Sequence, residues 1–94
     1  PEQVDTFRLV HDRVDGRDCY RFEGVIDEYA LLDEVDTSGP SVRIDLSGVR
    51  RINSFGSRDF RRLMRALESC DLTLVGCSTV MIEQANLIAG FFHK

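Results

Sequence analysis

Residues 42–57 constrain the fold more than any other stretch of the chain. Val42, Ile44 and Leu46 alternate with Arg43 and Asp45, the period of a strand with one buried face. Ser47-Gly48 is expected to break that strand. Ser54 is placed to open a helix, because its hydroxyl can accept from first-turn N–H groups that have no intrahelical partner. Beyond it, Phe60, Leu63, Met64 and Leu67 recur at i, i+3, i+4 and i+7 and form one buried stripe. Gly56 falls on the same side, where a missing side chain lets helix and strand approach closely. A strand that passes at once into an amphipathic helix is the front of a strand–helix–strand unit, which requires parallel strands and a right-handed crossover.

The remaining elements follow from the same periodicities. Phe7–His11 and Cys19–Glu23 read as two strands around the turn pair Asp15-Gly16. Gly24 breaks the pattern. Asp27 can cap a short helix over about 28–35, with Leu31, Leu32 and Val35 on one side and Glu28, Asp33 and Glu34 in solvent. Thr37–Pro40 ends it. The helix after Ser54 runs to about Ser69, Asp71–Val75 is a fourth strand, and a last helix spans about 79–92. The order is ββαβαβα, an α/β fold. A parallel sheet covered on both faces reads as solid apolar runs, whereas these strands alternate. A mostly parallel sheet with helices on one face and a polar, accessible face opposite is therefore expected.

Composition narrows the function. The 94 residues fit a single domain, and no apolar run approaches the roughly 20 residues of a membrane span. No signal peptide precedes the first strand, so a cytoplasmic protein without membrane insertion is expected. Cys19, Cys70 and Cys77 lack metal-ligand spacing, and His11 and His93 lie far apart, so no metal site is expected. No phosphate loop, nucleophile elbow or His–carboxylate cluster is visible, which argues against catalysis and a bound cofactor. Residues 1–49 hold 12 acids against 5 arginines, and residues 50–94 hold 4 acids against 7 basic residues. The acidic total and the lack of aromatic–basic interleaving argue against nucleic acid as a partner.

The stretch Asp45-Leu-Ser-Gly48 followed by Asn53-Ser-Phe-Gly56 resembles the signature of the STAS domain, the fold of sulphate-transporter tails and bacterial anti-sigma-factor antagonists. In that family Asp-Leu-Ser-Gly is followed by Asp-Ser-Ser-Gly at the mouth of a helix, and the second Ser of that tetrapeptide is the phosphorylation site of partner-switching members. Here Phe55 stands at the phosphoacceptor position and Asn53 at that of the Asp. The resemblance implies a non-enzymatic regulatory module acting by protein–protein binding, without phospho-switching at the usual serine. Its partner would be an anti-sigma factor of the serine-kinase type or another regulatory protein, and homo-oligomers also occur within such a reading. A nucleotide- or anion-sensing domain and an accessory subunit of a transport complex remain alternatives. The family usually continues with a further strand and helix, which this chain, ending at Phe91-Phe-His-Lys94, is expected to lack.

The candidate partner-binding residues are Asn53, Ser54, Phe55, Arg58 and Arg62. Arg58, Arg61, Arg62 and Arg65 repeat at helical spacing on the side opposite the buried stripe, which fits either a solvated face or a docking face for an acidic partner. Phe55 lies on the arginine side, as a partner contact or a local staple. Ser54 is either the helix cap or a phosphoacceptor, since a helix N-terminus favours negative charge. The last helix has an apolar face wider than packing on one sheet requires, built from Met81, Ile82, Ala85, Ile88, Ala89 and Phe92.

Overall fold

The computed structural model describes residues 6–77 and Thr79. Four strands form one sheet in the order β1-β2-β3-β4. β1 (Arg8–Val14) and β2 (Arg17–Ile26) make an antiparallel hairpin. Its two-residue turn, Asp15-Gly16, takes positive φ at both positions, the geometry that matches the twist of the flanking strands. β3 (Ser41–Ile52) lies parallel to β2, and β4 (Asp71–Val75) lies parallel to β3. α1 (Ser54–Ala66) makes the crossover between them.

Register carries the alternation across the sheet. Tyr20 pairs with Ile44 and Ile44 with Leu74, so successive strands send apolar side chains to one face. On that face α1 seats Phe60, Leu63 and Leu67 over Val42, Ile44 and Leu46, all buried. Cys19, Arg21, Arg43 and Asp45 have the opposite parity and line the other, accessible face. Phe60 is completely buried, and truncating an aromatic at such a site typically costs about 3–5 kcal/mol. The one-faced layout expected from strand alternation is found among the described residues. Residues 80–92 of the expected last helix lie outside them.

Three local expectations are corrected. Gly24 does not end β2, which runs through it, at φ 88° and paired with Val49, to Ile26. Ser47-Gly48 does not break β3, which continues to Ile52. Gly48 pairs with Glu23, at a point where the register with β2 shifts, and a Cβ on Gly48 would lie 2.8 Å from the Glu23 Cγ. The glycine there makes room for a neighbouring strand instead of ending its own.

No α-helix forms over 28–35. That segment is a turn followed by a single 3-10 turn at Leu32–Glu34. The Asp27 carboxylate accepts from the Tyr29 N–H at 3.0 Å, and the Ala30 N–H donates to the Asp27 carbonyl. Such side-chain bonding offers the backbone an alternative to helix. Ala30, Leu32 and Val35 are then buried while Leu31 is turned outward, so the burial does not follow helical spacing. The 3-10 turn still packs on the same sheet face as α1.

Candidate functional site

The mouth of α1 is built by Asn53. Its backbone is extended (φ −101°, ψ −176°), and its side-chain Oδ1 accepts from the Gly56 N–H at 2.8 Å. Asn53 is therefore the N-cap, and the expectation that Ser54 caps the helix is corrected. Ser54 is the first helical residue, exposed, and its hydroxyl is not the capping group. Asn and Ser are comparable caps, so two of them side by side leave the choice to backbone geometry. Gly56 meets the close approach expected of it: a Cβ there would collide with the Ile26 carbonyl oxygen. The Asn53 N–H donates to that same carbonyl at 3.1 Å, which pins the helix start to the end of β2.

Asn53 also reaches sideways. Its Nδ2 donates to Glu28 Oε1 at 3.0 Å, tying the loop after β2 to the helix mouth. This hydrogen bond is the main cause holding the Glu28 carboxyl below its ordinary range. An ionised aspartate at position 53 could still cap α1 but would have no proton to offer Glu28. The amide at 53 thus has a physical role in this chain.

Three of the exposed large apolar side chains belong to the two clasped segments; the others among the described residues, Val10 and Val14, are on β1. Phe55 is 48% exposed, with the Arg58 guanidinium carbon 5.5 Å from its ring centroid, a cation–π contact. Tyr29 is 80% and Leu31 57% exposed on the clasped loop. Sequence reasoning missed both, because a helical reading of 28–35 put Leu31 on the inner side and gave Tyr29 no role. Arg58, Arg61, Arg62 and Arg65 are all exposed, as their periodicity implied. Arg62 lies 3.6 Å from Asp59, an i, i+3 pair on the surface. Ser54, Phe55, Arg58 and Arg62 thus lie on the outward side of α1, Ser54 and Phe55 at its start beside the cap Asn53 and Arg62 about two turns further on.

The neighbouring hydroxyl, Ser57, is fully buried, and its Oγ has no hydrogen-bond partner. Of the helix-mouth serines, Ser54 is the exposed one. Between the 3-10 turn and α1 runs a groove of about 390 Å³, with Leu32, Val35 and Leu63 among its apolar walls and Asp33, Asp59 and Arg62 at its polar margin. Among the described residues no helix is long and apolar enough to cross a membrane.

With this geometry established, similarity to solved structures identifies the fold. The chain superposes on an anti-sigma-factor antagonist STAS domain from Rhodobacter sphaeroides with a TM-score of 0.65 at 17% identity, covering 80% of this chain and 95% of that one. It superposes on an anti-sigma-factor antagonist from Mycobacterium paratuberculosis with a TM-score of 0.71 at 22% identity, covering 93% and 81% respectively. The chain has the STAS fold. No family sequence model and no curated protein matches it, so the likeness resides in structure.

Proposed function

We propose that this domain is a non-enzymatic regulatory module that binds another protein through the mouth of α1, in the manner of an anti-sigma-factor antagonist. The observation that carries the reading is Phe55, an aromatic 48% exposed at the first turn of α1, whose cap Asn53 is tied to the loop that carries the exposed Tyr29 and Leu31. Exposed aromatics flanked by arginines have the composition of interface anchors. The partner the reading calls for offers an apolar pocket to Phe55 and carboxylates to Arg58 and Arg62. A serine-kinase-type anti-sigma factor in the cytoplasm is the first candidate.

Phe55 has no hydroxyl, so the reading excludes phospho-switching at the family's usual position. A second reading concerns Ser54. Its hydroxyl is exposed, Asn53 has taken over the capping role, and the helix N-terminus would favour an added phosphate. Ser54 is accordingly the serine to examine for a displaced switch. Anion sensing at the same turn is less well supported, because the Gly56 N–H is already engaged by Asn53.

Co-purification from the native host, with mass spectrometry and a hydrogen-exchange footprint of the complex, tests the proposal. The expected result is a kinase-like or other regulatory protein that protects residues 27–31 and 53–62. A solitary domain carrying a bound nucleotide would support the sensor reading instead. Phosphate on Ser54 would establish the displaced switch.

A further inference from the structure

We infer that β1 pairs edge to edge with β1 of a second copy of this chain, antiparallel and centred on Val10, as a two-fold dimer. This goes beyond the function proposed above, which makes no use of that strand. Among the described residues β1 has only β2 beside it and forms one edge of the sheet. The two-residue turn makes Val14 and Arg17 a hydrogen-bonded pair, so Val14, Asp12, Val10 and Arg8 exchange backbone bonds with β2. Leu9, His11 and Arg13 therefore turn their backbone groups to the open edge. Arg13 bears this out, because its N–H donates to the Asp12 carboxylate at 2.8 Å. Among the described residues, nothing bonds to the Leu9 and His11 backbones on that side.

A two-fold interface sets the strand against its own sequence reversed, so the strand must complement itself. Arg8, Val10 and Asp12 follow one another along one sheet face, since strand residues two apart share a face. Centring the pair on Val10 puts the two valines together and each Arg8 directly across from the other copy's Asp12. Val10 is exposed, Arg8 reaches Glu23 only at 3.9 Å, and among the described residues Asp12 makes no ion pair. On the other face the same register sets Leu9 across from His11 and Phe7 across from Arg13. Centres at Leu9 or His11 leave Arg8 and Asp12 opposite neutral side chains, and a centre at Asp12 sets two carboxylates together. Charge complementarity therefore selects a second copy and a single register. In that register Leu9 and His11 exchange both backbone bonds on each side of the axis.

The test is sedimentation velocity on the intact chain from about 10 µM to about 1 mM, the range in which weak contacts titrate. The expected result is a shift of the weight-average sedimentation coefficient from monomer towards dimer. The Leu9 and His11 amides should gain protection from exchange over the same range. Arg8→Asp makes both charges of the strand face acidic, and Asp12→Arg makes both basic. Each variant should stay monomeric alone, while an equimolar mixture should form a heterodimer. His11→Pro removes an N–H that faces away from β2, where an edge strand tolerates proline. It should abolish both associations with the fold retained in a melting curve; if it unfolds the chain, the charge variants decide. A wild-type chain that stays monomeric throughout overturns the inference, as does either charge variant dimerising alone as well as wild type. Association that leaves the Leu9 and His11 amides unprotected overturns it too. So does protection of those amides only in a complex captured from the host, which would make the occupant a foreign strand. A monomeric result leaves the proposed partner at α1 untouched, since that is tested by capture and by protection of residues 27–31 and 53–62.

Discussion

Single residues decide the character of the α1 mouth, and Asn53 decides most. It caps the helix through Oδ1 and clasps Glu28 through Nδ2. Asn53→Ala should lower stability by about 1 kcal/mol for the lost cap, whereas Ser54→Ala, now outside the cap, should change it little. Urea denaturation of both variants checks this, and a larger loss for Ser54→Ala would return the cap to that residue. Asn53→Asp keeps a capping oxygen but sets a carboxylate against Glu28. It should destabilise the domain at neutral pH, and Glu28→Gln should relieve that loss in the double variant. The wild-type clasp has a pH sign of its own. Glu28 titrates lower when folded, so the clasp contributes fully above the ordinary glutamate range and is lost as pH falls through the depressed value. The protection of the loop 27–31 amides, relative to their intrinsic exchange at each pH, should fall on that descent.

Elements differ in how openly the sequence announced them. β4 is Asp71–Val75 as expected, because Leu72 and Leu74 alternate with Asp71 and Thr73 and glycine follows it. α1 was legible from Phe60 and Leu63, with Leu67 at its C-cap, which pack into the core at regular helical spacing. The segment 28–35 was not. Its apolar residues are dense enough to satisfy a helical template, and the decisive event is Asp27 bonding to the Tyr29 backbone. The continuation of β3 through Ser47-Gly48 was hidden for a related reason, since what keeps it a strand is the β2 neighbour alongside. The site was therefore half legible. Phe55 and Arg58 could be named from helix geometry, but Tyr29, Leu31 and Glu28 joined them only through a contact between segments 25 residues apart in sequence. At this scale Gly56→Ala should be among the most damaging small substitutions. Its methyl would strike the Ile26 carbonyl, and relief requires α1 to lift from β2. Overpacking of this kind typically costs about 1–3 kcal/mol, readable as a lower urea midpoint. A neutral Gly56→Ala would mean that α1 is not seated there.

Across the whole molecule, one sheet face builds the core and holds α1, and Phe55 is exposed at the helix end nearest β2. On the proposed function, stability and recognition fall on opposite sides of the same helix. Phe60, Leu63 and Leu67 point inward, and Phe55, Arg58 and Arg62 point outward. Arg62→Glu should leave folding unchanged, slow association with an acidic partner and reduce its salt dependence, because steering by unlike charge is lost. The central claim, that the outward side exists for binding, is tested most directly by Phe55→Ala in a binding titration against the captured partner, paired with a melting curve. The account predicts affinity weakened by about 2 kcal/mol or more, some thirtyfold, with the melting temperature nearly unchanged. A melting temperature lowered by several degrees with affinity intact would contradict it and make Phe55 a packing residue.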